Sequence, residues 1–169
     1  MVRISQRISP CLWFDGQARE AAEFYTSVFP NSRIIGGSNY DFASAEASGQ
    51  PEGSEMTVFF ELDGQIFLAL NGGPAFQFTQ AISLMVYCDT QAEIDHYWEK
   101  LGEGGDPSAQ ICGWLKDKFG LSWQIVPVLI NEVHSGNDPE ATARLMQSLI
   151  QMKKLDIAQL AAAAAGDSA

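Results

Sequence analysis

The chain has 169 residues, 46% of them hydrophobic, and a formal net charge of −11 from 21 acidic against 10 basic side chains. The length suits one compact domain or two small ones, and the negative surface, with no basic patch, disfavours nucleic acid and anionic membranes as partners. No run approaches the roughly 20 apolar residues of a membrane span, the start lacks the apolar run of a signal peptide, and Cys11, Cys88 and Cys112 have no Cys-x-x-Cys spacing, so a cytoplasmic protein with reduced thiols is expected.

Ile8 to Phe14 reads as a strand, and Asp15-Gly16 as a helix start at which Asp15 caps free N–H groups. Ala18, Ala21, Ala22, Tyr25, Val28 and Phe29 then form one helical stripe, closed by Pro30-Asn31-Ser32. Arg33 to Ile35 begins a second strand that Gly36-Gly37 ends or bends. Residues 43–54, polar, small and bearing Gly and Pro, predict a loop. Glu55–Leu62 and Gln65–Leu70 are strands joined by the hairpin turn Asp63-Gly64. The pattern then restarts. Ile82–Cys88 is a strand, Asp89-Thr90 a cap, and Ile94, Tyr97, Trp98 and Leu101 a helical stripe. Trp114–Lys118 and Leu121–Ile130 form a second hairpin around Phe119-Gly120. Asp138-Pro139 starts a helix with an apolar face of Ala143, Met146, Leu149 and Ile150, and Lys153 and Lys154 suit a helix C-terminus. Asp156 with Gln159 opens a last helix that Gly166 stops.

Asp15 aligns with Asp89, Gln17-Ala18 with Gln91-Ala92, Ser9 with Ser83, and Leu68 with Gln124. The fold class expected is therefore α+β: two tandem βαβββ modules, residues 1–75 and 76–131, forming a curved mixed sheet of about eight strands with a concave cleft. A C-terminal helical extension, 132–169, follows. Strand alternation divides each strand into two sides. The more apolar side should meet the helices. The mixed side should line a ligand-binding cleft with Ser9, Cys11, Trp13, Leu68, Leu70, Ser83, Met85, Tyr87, Gln124 and Val126.

Several stretches carry a family resemblance. They are Ile8-Ser9-Pro10-Cys11-Leu12-Trp13-Phe14-Asp15-Gly16 with Ala22-Glu23-Phe24-Tyr25, and Leu70-Asn71-Gly72-Gly73-Pro74. The most specific runs from Cys112-Gly113-Trp114-Leu115-Lys116-Asp117 through Phe119-Gly120-Leu121-Ser122-Trp123-Gln124-Ile125-Val126-Pro127. Met152-Lys153-Lys154-Leu155-Asp156-Ile157-Ala158 adds to them. The chain resembles the PhnB-like branch of the vicinal-oxygen-chelate superfamily, which includes glyoxalase I, bleomycin-resistance proteins and extradiol dioxygenases. Such relatives often carry the name 3-demethylubiquinone-9 3-methyltransferase. The sequence lacks the strand, Gly-rich loop and helix of a Rossmann-type cofactor site.

The resemblance implies a homodimer and, in metal-using members, ligands at four equivalent places. Those places are Ser9, Leu68, Ser83 and Gln124 here, and only Gln124 suits a divalent ion. No metal and no cofactor are therefore expected. His96 reads as a helix-flank residue, and His134 as part of an exposed loop. Cys11 and Cys112 read as packing residues, and Lys116-Asp117 as a structural ion pair or a functional one. The expected function is binding of a small apolar or aromatic molecule in the cleft. Two alternatives stay open: a metal-dependent lyase, isomerase or dioxygenase, and an interaction protein with a filled cleft.

Overall fold

The computed structural model describes residues 6–167. The chain forms two units, divided between Gln77 and Phe78. In the first, β1 (Cys11–Phe14) leads to α1 (Ala18–Val28), β2 (Arg33–Asn39), α2 (Phe42–Ser48), β3 (Glu55–Leu62) and β4 (Gln65–Asn71). The sheet order is β1-β4-β3-β2, with β1 parallel to β4 and the other pairs antiparallel. Leu12 and Phe14, from one side of β1, are buried with Ala18, Ala21, Ala22 and Tyr25 of α1 and with Val58, Phe60, Phe67 and Ala69 of β3 and β4. Tyr25, Phe60 and Phe67 form a run of stacked rings at centroid distances of 6.2 and 5.3 Å. Of the apolar set expected to meet the helix, Leu12 and Phe14 are the buried members, whereas Ile8 is 83% exposed ahead of β1, which starts at Cys11 rather than Ile8. The hairpin turn has positive φ at both Asp63 and Gly64, as an Asp-Gly turn requires.

Two local expectations are corrected in this unit, for residues 43–54 and for Asp15, and one alternative is decided, for Gly36-Gly37, which bends rather than ends its strand. Residues 43–54 are not all loop: α2 forms because Asp41 and Ser44 make a reciprocal capping box and Gly49 ends the helix in the left-handed region. The strand begun at Arg33 runs on through Gly36-Gly37 to Asn39, with the irregularity absorbed as a register shift between Ile34 and Gly36. Asp15 does not cap α1. The Ala18 amide donates instead to Asn71 Oδ1 at 2.9 Å, an acceptor 53 positions away at the end of β4.

In the second unit, β5 (Leu84–Cys88) leads to α3 (Gln91–Gly102), a 3-10 turn (Pro107–Ala109), β6 (Trp114–Lys116) and β7 (Ser122–Pro127). After these come α4 (Leu129–Ser135), α5 (Pro139–Leu149) and α6 (Ile157–Ala165). The order is β5-β7-β6, with β5 parallel to β7 and β6 antiparallel to it. Cys11 pairs with Leu68 in the first sheet and Met85 with Gln124 in the second. Cys11 and Met85 lie 74 positions apart, as do Asp15 and Asp89, so the strand register repeats along with the motif. The mixed α+β class, built on two mixed sheets of four and three strands with C-terminal helices, follows from the sequence pattern. The described strands number seven rather than eight. Between α3 and β6 a Gly-rich stretch and the 3-10 turn stand where the first unit has β2. Thr90 and Glu93 close a capping box on α3, as Asp89-Thr90 suggests.

Asp117 fixes the β6–β7 hairpin. The carboxylate is buried, and its Oδ1 accepts from the Phe119 and Leu121 amides (2.9 and 3.0 Å). Its Oδ2 accepts from Trp123 Nε1 (2.8 Å). An ion pair with Lys116 is not formed, because the Asp117 carboxylate, just past the end of β6, is turned into the hairpin toward the Phe119 and Leu121 amides and Trp123 Nε1. β7 also ends sooner than expected: Leu129 and Ile130 belong to α4, and exposed His134 lies in that helix's last turn rather than in a loop.

The C-terminal segment is built onto the second sheet. Leu145, Leu149, Leu155 and Leu160 are buried with Val126 and Ile130. The Cys112 and Gly113 amides donate to the Met152 and Lys153 carbonyls, both at 2.8 Å. The Gln91 side chain donates to the Leu155 carbonyl and accepts from the Ile157 amide. Lys154 lies beyond the end of α5 and pairs with Asp95 of α3 at 2.5 Å, which, with Gln91, holds the Asp95 carboxyl below its ordinary pKa. Arg144 donates to the Ala163 and Ala164 carbonyls at the end of α6. The specific Cys-Gly motif thereby gains a physical reason. Gly113 has φ +81°, and a Cβ there would lie 2.9 Å from both the Ile125 carbonyl oxygen and Leu155 Cδ1. Gly113→Ala is expected to cost about 2 kcal/mol through backbone strain. Urea unfolding measures it, and a midpoint unchanged from the parent chain would refute the assignment.

Candidate ligand-binding faces

Each sheet has a side turned away from its first helix, and the expected site residues divide between the two sheets. In the first, Cys11, Trp13, Leu68 and Leu70 share that side through the β1–β4 register. Cys11 is exposed and the other three are half-buried. Phe59, opposite Leu68, adds a further half-buried ring. Ser9 is exposed just before β1. Trp13 is held firmly: Nε1 donates to the Gly73 carbonyl at 2.8 Å, and the ring meets Phe76 edge-on at 4.9 Å. The indole lies so close over Gly72 that a Cβ there would sit 2.2 Å from Trp13 Cζ2. The Asn71-Gly72-Gly73 motif therefore seats a tryptophan and, through Asn71, caps α1.

In the second sheet, Met85 and Tyr87 of β5 share a side with Ser122, Gln124 and Val126 of β7 and with Trp114 and Lys116 of β6. Met85 is 47% and Tyr87 54% exposed, unusual for large apolar side chains on a strand. Gln124 Nε2 donates to Ser83 Oγ at 2.8 Å, so the structure brings those two expected site residues together. Val126 is withdrawn from the expected set. It is 8% exposed because the C-terminal helices cover it. Sequence reasoning passed over Trp114 and Ser122 as site residues. The period-2 pattern of Trp114-Leu115-Lys116, with Leu115 apolar between them, is the signal that locates Trp114 and Lys116 on one side.

The Cys11 and Cys88 thiols are poor nucleophiles. Partial burial pushes Cys11 up, and burial together with Glu93 and Asp89 pushes Cys88 up to about 12. For a divalent metal the fit is poor as well. Leu68 has no donor atom, Ser9 and Ser83 offer neutral hydroxyls, and Gln124 is turned with its amide nitrogen to Ser83. Among the described residues no three His, Cys, Asp or Glu side chains gather as a metal site. No described helix is long and apolar enough to cross a membrane.

Two modules with short mixed sheets, each leaving one side clear of its first helix, are what the resemblance to the vicinal-oxygen-chelate superfamily leads one to expect. Comparison with known proteins narrows this. Residues 6–126 match the family model described as 3-demethylubiquinone-9 3-methyltransferase, and the chain belongs to that family, the PhnB-like branch its motifs resemble. A PhnB protein from Bacillus cereus is 38% identical, with a TM-score of 0.60 over 72% of this chain and 99% of that one. The protein PA1353 from Pseudomonas aeruginosa is 23% identical over 73% of this chain and 98% of its own, with a TM-score of 0.50, and shares the fold. A fosfomycin resistance protein, FosX, from Listeria monocytogenes is 16% identical over 74% of this chain and 94% of its own, with a TM-score of 0.46. No curated protein matches the chain.

Proposed function

We propose that this chain binds a small apolar or aromatic molecule on the open sides of its sheets, without a divalent metal, as a cytoplasmic homodimer. The observation that carries the reading is the exposure of Met85 and Tyr87 beside the hydrogen-bonded Gln124–Ser83 pair. Apolar surface with a few oriented polar groups is what a small ligand needs from a protein face. The half-buried Trp13, Leu68 and Leu70 offer a second apolar surface, joined by Cys11. The methyl-transfer activity in the family's name gains no support from sheets in which only one strand pair each is parallel, since a Rossmann-type cofactor site is built on a largely parallel sheet.

A thermal-shift panel of neutral bicyclic aromatics and of Zn, Ni, Mn and Fe salts tests the reading. A neutral aromatic at saturating concentration should raise Tm by several degrees, since each kcal/mol of stabilisation is worth roughly 2–4 °C in a chain of this size. Met85→Ser together with Tyr87→Ser should abolish that rise. Stabilisation by a metal alone would overturn the proposal in favour of a metal-dependent enzyme. Stabilisation by neither would favour an interaction protein. Light scattering on the eluting peak measures the dimer.

A further inference from the structure

We propose that the open side of the second sheet selects small organic anions, a carboxylate or phenolate on a flat apolar body, and that Lys116 holds the charge. The inference deepens the ligand-binding reading above and rests on it. Lys116 pairs with Ser122, and Trp114 with Gln124, across the β6–β7 ladder, so these four lie on the side that also carries Met85 and Tyr87. A chain with net charge −11 repels anions in general, so anion binding needs a local cation set into the apolar face. Lys116 is the cation at that place.

Two features make the cluster incomplete as it stands. Lys116 is half-buried and forms no ion pair among the described residues. Asp106 feels its charge, and the Asp106 carboxylate already accepts from the Ser108 amide and hydroxyl at 2.9 and 2.7 Å, capping the 3-10 turn. Across the ladder, Ser122 is 1% exposed, and its hydroxyl has no hydrogen-bond partner. Such a buried hydroxyl is costly to leave unsatisfied. Gln124 spends its amide nitrogen on Ser83. An oxyanion beside Lys116 would supply the missing ion pair and give the Ser122 hydroxyl an acceptor. Its apolar body would lie against Trp114, Met85 and Tyr87. Charge-assisted hydrogen bonds of this kind are about twice as strong as neutral ones.

Tryptophan-fluorescence titration of the full chain with 1-naphthoate and with its neutral isostere 1-naphthamide tests this. The anion should bind about tenfold more tightly than the amide. Lys116→Met and Lys116→Gln should erase the preference. Lys116→Arg, and Lys100→Met on exposed α3, should keep it. Equal binding of both probes by the parent chain, or a preference that survives in a folded Lys116→Met or Lys116→Gln variant, would overturn the assignment while leaving the ligand-binding reading intact. Binding of neither probe would remove both.

Discussion

Asp117→Ala should lower the free energy of unfolding by about 3–5 kcal/mol, because it strips the acceptor from three donors at once. Two are backbone amides, of Phe119 and Leu121, and the third is Trp123 Nε1. Leu121 and Trp123 are buried, so water cannot replace the lost acceptor there. Asp117→Asn should be milder. Its carbonyl oxygen can still serve both amides, but its NH₂ would then face the Trp123 N–H, donor against donor. Urea unfolding followed by tryptophan fluorescence separates these cases. If the alanine variant unfolds at the parent midpoint, the carboxylate is not what holds the hairpin. The consequence reaches the proposed ligand face, because Lys116 and Ser122 flank the turn that Asp117 ties.

Asn71→Ala should cost about 2–3 kcal/mol in the first unit. The side chain accepts from the Ala18 amide through Oδ1 and donates to the Glu55 carbonyl through Nδ2 (3.0 Å), and both contacts would go. Its main-chain carbonyl takes the Tyr40 hydroxyl at 2.6 Å and would remain. The Ala18 amide, buried at the start of α1, would be left without an acceptor. Amide exchange at the first turn of α1 should accelerate more than exchange in β3. A variant with unchanged protection at Ala18 would show that α1 does not depend on this cap.

What the sequence revealed followed the reach of the interactions involved. Periodicity located α1 and α3, because an apolar stripe is a local signal, but it misassigned the face of α5, where Leu145 and Leu149 are buried while Ala143, Met146 and Ile150 of the expected stripe are exposed. The Asp-Gly hairpin and the Asp138-Pro139 start were equally local. Strand alternation also separated Leu12 and Phe14 from Cys11 and Trp13, because one side of β1 packs on a helix. The misreadings arose where a distant partner decided the outcome. Asp15-Gly16 has the composition of a cap, but Asn71 arrives from β4 and takes the Ala18 amide. Val126 alternates correctly with Gln124, yet helices that come later in the chain cover it. Lys116-Asp117 reads as a charge pair along the chain, but Asp117 spends its carboxylate on the Leu121 amide and Trp123 Nε1 across the hairpin. The short helix α2 was hidden among loop-forming residues, although Asp41 and Ser44 spelled its cap.

The two copies of the module also differ in when their first helices can become stable. The capping box of α3 joins Thr90 to Glu93, three positions apart, so it closes as soon as that turn forms. The cap of α1 must wait for a strand 53 positions downstream. Closing that longer loop carries an entropic cost before any hydrogen bond repays it. Helix nucleation is already unfavourable for a segment of 11 residues. The acceptor for the first turn of α1 is made only with β4, whereas α3 has its cap within its own first turn. Two similar modules thus start their first helices on contacts of different range, one local and one long-range.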